Sequence, residues 1–227
     1  MRWYAAAGFV GLVYVGVWVY MGFGSAVIQE VLKRAGADGS KVDEVIMGNV
    51  VSAGLKQAPA RQAMRMADMP DAVGATTLNK VCGSGMKATM MAMDLIAAGS
   101  ADTVIAGGME SMSNAPYLLP KARGGLRMGH ANMQDSLFTD GLEDAETGGS
   151  MGSFAQSTAD SRQLTRESMD AFAIESVKRA LAAIEQDRLA AEILPMDIDG
   201  VSVKDDEQPG KAKVDRISTL RPAFKSD

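Results

Sequence analysis

The sequence is poor in the side chains that most often bind metals or form cross-links, with one cysteine and one histidine in 227 residues. A single cysteine excludes an internal disulfide, and one cysteine with one histidine argues against a structural zinc site. We predict no bound metal and a reducing, cytoplasmic location. The net charge of −5 is small, and the lysines and arginines are scattered rather than clustered. The chain therefore lacks the basic surface typical of nucleic-acid binding, and we predict no nucleic-acid partner.

The N-terminal segment 3–28 has no charged residue and is long enough to cross the roughly 30 Å hydrocarbon core of a bilayer. Residues Val13–Val19, however, are β-branched, aromatic or glycine and favour a strand, while five glycines weaken a lone helix. Three interpretations stay open: a membrane anchor, a buried strand, or an atypical segment 1–24 that is foreign to the domain, as a shifted reading frame would supply. Membrane association is expected only through 3–28.

From Ser25 the pattern alternates between amphipathic helices and short apolar runs. Strands that alternate with helices at this pace predict βαβ units around a largely parallel sheet, which defines an α/β fold. The predicted strands are 43–49, 75–81 and 103–106, and the predicted helices are 27–35, a helix ending at 67, 85–98, 151–162 and 166–187. Between 111 and 149 the sequence is irregular, which is typical of a functional loop region. Thr165 is the predicted N-cap of the last helix.

The only cysteine, Cys82, follows a predicted strand and precedes a predicted helix, a position where a sharp turn exposes a nucleophile. Gly83 and Gly85 permit backbone conformations that are closed to residues with a Cβ. The first amides of the helix would stabilise negative charge on the sulfur and could form an oxyanion hole. A lone cysteine is otherwise a small buried hydrophobe, and the flanking glycines favour the functional interpretation. These features predict acyl transfer through a thioester.

The stretch 79–86 (NKVCGSGM) resembles the nucleophile signature of thiolases, which make or cleave β-ketoacyl-CoA through an acyl-cysteine. The stretches 107–113 (GGMESMS) and 59–62 (PARQ) are similar to two further motifs of that family, and its loop-domain motifs follow in order. The resemblance covers 25–227. It implies a thiolase-like N-terminal half with a mostly parallel sheet and helices on its faces, from 25 to 112, followed by a loop domain from 113 to 227.

By this resemblance, Cys82 is the catalytic nucleophile, and Leu142, Met151 and Phe224 line the channel for the pantetheine arm and acyl chain. Core packing is an equally open interpretation for those three residues. Coenzyme A enters as an acyl-CoA substrate, and the chain needs no cofactor. The resemblance also implies a homodimer, paired through the strand near 75–81, or a tetramer, coupled through the loop 123–129.

The sequence departs from the family pattern in its acid/base residues. His130 lies in a loop and not in the Gly-His-Pro motif of the family's base, so we expect it to face solvent. The Asn-Glu-Ala-Phe and Cys-x-Gly motifs are absent, and the sequence stops just after Phe224. We therefore expect a truncated acetyl-CoA C-acyltransferase that keeps its nucleophile. The alternative is a non-catalytic fragment that acts as a membrane-tethered or interaction module. β-Ketoacyl synthases share the fold, but the context of their cysteine differs.

Overall fold

The computed structural model describes residues 17–225 of the chain. The helices and strands of this range are, in chain order, α1 (Val17–Ala35), β1 (Glu44–Gly48), α2 (Pro59–Met66), β2 (Gly74–Leu78), α3 (Ser84–Ala97), β3 (Val104–Gly108), β4 (Tyr117–Leu118), β5 (Gln134–Asp135), α4 (Met151–Ser161), α5 (Arg166–Glu185), β6 (Met196–Ile198), β7 (Val201–Val203) and α6 (Glu207–Lys211). The predicted alternation of strands and helices is confirmed.

The centre of the fold is a parallel sheet of three strands in the order β2-β1-β3. Glu44 of β1 lies opposite Gly74 on one side and Val104 on the other, so the three strands begin at the same level. β1 is buried on both faces, as its short apolar run predicts for the middle strand of a parallel sheet. β2 is only partly buried and is one of the two edge strands of the described sheet.

The hydrophobic core lies between the sheet and the first two helices. Ile28 of α1 and Ala63 and Met64 of α2 form one buried cluster with Val45 and Met47 of β1. On strand β1 alternate side chains point to opposite faces, so Ile46 points away from this cluster. Helix α3, whose Ala88 and Ala92 are buried, packs on β1 and β3. The resulting α/β arrangement holds the carboxyl ends of the strands near the start of α3.

The N-terminal predictions are met only in part. Residues Val17–Val19 are helical, so the strand favoured by their β-branched composition is wrong there. α1 runs through the predicted boundary at Ser25 without interruption. Of the candidate membrane segment 3–28, residues 3–16 lie outside the described residues. Within 17–225, no helix is both long and apolar enough to span a membrane.

The predicted irregular region contains short elements. β4 pairs with β5 in an antiparallel ladder, and Phe138–Leu142 form a single stretch of π-helix. Helix α4 follows Ser150, whose side chain caps it, and α5 follows Thr165. The backbone amide of Ser168 donates to Thr165 Oγ1 at 3.2 Å, which confirms the predicted N-cap.

Candidate active site

Cys82 lies in the four-residue turn between Leu78, the end of β2, and Gly83, the N-cap of α3. Its side chain is exposed, as predicted for a nucleophile rather than a core residue. The unusual backbone of this turn is at Val81, whose φ is +47°. The prediction that glycine supplies the special conformation is wrong, since Gly83 has an ordinary φ of −91° and Gly85 has no positive φ.

Two polar side chains fix the turn. The backbone amide of Val81 donates to Asn79 Oδ1 at 2.9 Å. The Ser84 hydroxyl donates to the Val81 carbonyl oxygen at 2.6 Å and accepts from the Lys80 amide at 2.9 Å. Both backbone polar groups of Val81 are therefore satisfied within the turn. Since a positive φ at a β-branched residue is unfavourable, such bonds are what holds it in place.

The start of α3 leaves polar backbone groups next to the cysteine. Its N-cap, Gly83, has no side chain to cap the helix. The first amides of a helix have no partner within the helix, and they carry the positive end of its dipole. Here the Gly83 and Ser84 amides donate to the Lys80 and Val81 carbonyl oxygens, each at 3.1 Å, so the candidate donors to a ligand are the Gly85 and Met86 amides. A cysteine directly before such a helix end is well placed for chemistry that develops negative charge.

Glycine is required at the end of β1, where this strand meets the helix. A Cβ at Gly48, the last residue of β1, would lie 2.6 Å from Ser84 Cβ and 2.8 Å from the Gly85 nitrogen. At Gly108 of β3, a Cβ would lie 3.6 Å from Gly85 Cα. Gly48 therefore sets the close approach of the sheet to the cysteine turn, whereas a Cβ at Gly108 would make only ordinary contacts.

A half-buried carboxylate follows β3 and binds the segment that follows β1. Glu110 Oε1 accepts from Asn49 Nδ2 at 2.9 Å and from the Val51 amide at 3.0 Å, while Oε2 accepts from the Val50 amide at 2.8 Å. Burial raises the pKa of Glu110, and the hydrogen bonds from the Val50, Val51 and Ser111 amides oppose that rise. Sequence reasoning gave Glu110 no role. The signal was its place in the motif at 107–113, directly after a predicted strand.

The three predicted channel residues lie in the loop region and are exposed enough to meet a ligand. Leu142 ends the π-helix, Met151 begins α4, and Phe224 lies near the end of the described chain; their exposed fractions are 36%, 42% and 55%. The Phe224 ring lies directly over Gly152, where any Cβ would overlap it. Within the described residues, the three side chains are therefore exposed and not part of the buried core.

These loop residues are connected to one another and to the sheet. A bridge between Glu143 and Ser150 holds the residues after Leu142 and before Met151 together. The π-helix contacts the sheet side at Gly141, where a Cβ would lie 3.5 Å from Val51 Cγ2. None of these contacts involves Cys82 itself.

One candidate residue of the sequence analysis remains, His130. His130 is exposed in the long loop, as expected. Among the side chains that the structure describes, no group of three or more His, Cys, Asp and Glu residues could hold a metal ion.

The α/β fold and the cysteine turn are those expected of a thiolase-like N-terminal half, and the comparisons agree. The family model "Thiolase, N-terminal domain" matches residues 18–227. The chain belongs to the thiolase family.

Several known proteins are similar to this chain. An acetyl-CoA acetyltransferase of Pseudomonas aeruginosa is 47% identical over 210 residues, covering 90% of this chain and 53% of that protein. Acetyl-CoA acetyltransferase 2 of Arabidopsis thaliana is 46% identical over 210 residues, which cover 90% of this chain and 52% of that protein. The crystal structure of the Acat5 thiolase from Ascaris suum in complex with coenzyme A superposes with a TM-score of 0.89 at 35% identity, over 97% of this chain and 57% of that one. The chain spans about half the length of the curated relatives it matches.

Proposed function

We propose that this chain accepts an acyl group from a CoA thioester on Cys82, the first half of a thiolase reaction. The observation that carries the proposal is the exposed thiol, held in a fixed turn directly before the uncapped start of α3. The relatives named acetyl-CoA acetyltransferase make acetyl-CoA the first substrate to test.

The proposed step is a thioester exchange. The Cys82 sulfur attacks the carbonyl carbon of acetyl-CoA, a new carbon-sulfur bond forms, and the bond to the CoA sulfur breaks. Coenzyme A leaves as its thiol and takes up the proton that Cys82 gave up, so the exchange needs no oxidant and no metal. Amides at the start of α3 are the proposed donors to the carbonyl oxygen, which becomes negative in the transition state.

Intact mass spectrometry tests this step. The chain is incubated with acetyl-CoA, and we expect a single acetyl adduct that maps to Cys82, together with one equivalent of free CoA thiol. The Cys82→Ser variant should show neither. A cooperatively folded wild-type sample that forms no adduct, or an adduct of equal yield on Cys82→Ser, would contradict the proposal.

We further propose that Leu142, Met151 and Phe224 line the channel for the pantetheine arm and acyl chain. Support comes from their partial exposure and from the seating of Phe224 on Gly152, next to Met151. Phe224→Ala should raise the acetyl-CoA concentration that gives half-maximal acylation by about tenfold, since an aromatic contact of this size contributes about 1–2 kcal/mol. The matched control is Phe172→Ala, which removes a phenylalanine that is 79% exposed on α5. Equal behaviour of the two variants would remove Phe224 from the channel.

We also propose that the chain pairs with a second copy through the edge of β2, whose outer side is unpaired in the described sheet. Sedimentation over a range of protein concentrations should show a monomer-dimer equilibrium. A monomer throughout that range would exclude this arrangement for the 227-residue chain.

A further inference from the structure

We infer that Glu110 is a positioning residue for the Cys82 turn and acts through the segment 49–51 and the side chain of Asn79. This inference rests on the proposed function, because it concerns how well Cys82 is placed for acyl transfer.

Glu110 accepts hydrogen bonds from the segment 49–51, which follows β1. Both carboxylate oxygens accept hydrogen bonds. The donors are Asn49 Nδ2, Val50 N and Val51 N, which belong to three successive residues. The Asn49 Nδ2 atom also donates to the Met109 carbonyl oxygen at 3.0 Å. Hydrogen bonds to a charged group are among the stronger ones in proteins, so this segment is fixed relative to the end of β3.

The side chain of Asn79 joins that segment to the cysteine turn. The carbonyl oxygen of Val50, whose amide binds Glu110, accepts from Asn79 Nδ2 at 3.3 Å. The other end of the same amide side chain, Oδ1, accepts from the Val81 amide at 2.9 Å. A continuous series of hydrogen bonds therefore joins Glu110 to the residue directly before Cys82.

The turn needs such support because of the backbone conformation of Val81. Val81 is β-branched and has a φ of +47°. Such a conformation persists only when its surroundings determine it. Ser84 holds the carbonyl of Val81 from the helix side, and Asn79 holds its amide from the strand side. Loss of the Asn79 side frees the backbone dihedrals that orient Cys82, whereas the Ser84 side of the turn stays bonded.

The chemical consequence differs between two reactions of the same thiol. Acyl transfer requires the sulfur and the oxyanion donors to meet one carbonyl group in a defined geometry, and small displacements of a reacting group lower such rates strongly. Alkylation by iodoacetamide requires only an accessible thiolate. A positioning residue should therefore change the ratio of the two rates, which a general loss of folding does not.

The experiment compares the full chain with Glu110→Gln, Asn79→Ala and the double variant. For each, the rate of Cys82 acetylation by acetyl-CoA and the rate of its alkylation by iodoacetamide are measured. We expect both single variants to lose about tenfold in acetylation with alkylation within about twofold of wild type. The double variant should lose no more than the stronger single variant, because both changes interrupt one series of contacts.

The matched control is Asp43→Asn. Asp43 Oδ2 also accepts two backbone amides, those of Asp102 at 2.8 Å and Thr103 at 2.9 Å, but at the amino end of the sheet. This variant should keep the wild-type ratio of acetylation to alkylation.

The outcomes separate the inference from the function on which it rests. A wild-type chain that forms no Cys82 adduct overturns both. A wild-type chain that is acetylated while Glu110→Gln and Asn79→Ala match it overturns the positioning role alone. Equal losses in acetylation and alkylation also overturn it, since they indicate a structural role only. Asn79 is exposed, so its variant decides the question if Glu110→Gln does not fold.

Discussion

Substitution of Gly48 by alanine tests the close approach of the sheet to the cysteine turn. The new Cβ would lie 2.6 Å from Ser84 Cβ, 2.7 Å from the Ser84 carbonyl carbon and 2.8 Å from the Gly85 nitrogen. Two of these three neighbours are backbone atoms, so a change of side-chain rotamer cannot relieve the overlap. Overpacking of this kind costs about 1–3 kcal/mol, and backbone neighbours place Gly48→Ala near the upper value. For a chain of this length, a loss of about 3 kcal/mol lowers Tm by roughly 6–12 °C.

Gly107→Ala is the matched control for this measurement. Gly107 lies on β3 opposite Met47, and a Cβ there would lie 3.5 Å from Met47 Sδ, an ordinary contact with a flexible side chain. Its free energy of unfolding should stay unchanged or rise by up to about 1 kcal/mol, because alanine restricts the unfolded chain more than glycine does. Both variants are compared by urea denaturation monitored by circular dichroism. If Gly48→Ala is as stable as Gly107→Ala, the helix start does not lie as close to β1 as described.

Three further substitutions test single features. Val81→Gly should raise the free energy of unfolding by up to about 1 kcal/mol, because it relieves the positive φ of an exposed β-branched residue; a lower urea midpoint would argue against strain. Ser136→Ala should raise it by about 1 kcal/mol, because the buried Ser136 hydroxyl has no hydrogen-bond partner among the described residues; a loss of stability would reveal a partner. The Thr103 and Asp102 amides lower the pKa of Asp43, so its contribution is present above the ordinary carboxyl pKa and is lost as the pH falls through the folded value. Wild type should therefore lose more stability than Asp43→Asn on acidification, and parallel pH profiles would exclude this role.

The sheet and the exposure of Cys82 were predictable because each depends on local sequence. The buried runs around Val45 and Ile105 are short, apolar and bounded by turn residues, and each forms a parallel strand. The cysteine between a strand and a helix needed only their order along the chain. In the same way, Thr165 identified the start of α5, since an N-cap bonds to an amide three residues away.

The support of the turn was not predictable, for two physical reasons. Valine is among the residues least expected at positive φ. The sequence therefore assigned the unusual backbone conformation to Gly83 and Gly85, whereas the structure has it at Val81. Glu110 and Val50 are separated by 60 positions, and a hydrogen bond over that distance depends on the packing of β1 beside β3. No sequence pattern encodes such a contact. Residues Val17–Val19 are likewise helical although they favour a strand. The β propensity of a residue depends on its surroundings, and here the residues continue into a long helix.

The cysteine turn is supported in two ways that the substitutions separate. Gly48 sets the distance between β1 and the start of α3 by van der Waals contact, whereas Glu110 acts on Val81 through a series of hydrogen bonds by way of Val50 and Asn79. Gly48→Ala pushes on the start of α3, which carries the proposed oxyanion donors and follows Cys82 in the chain. Glu110→Gln changes the strand side of the turn and leaves the helix in place. If placement of the sulfur relative to those donors limits acyl transfer, both variants should lower the acetylation rate, and a wild-type rate in folded Gly48→Ala would contradict this role of the helix start.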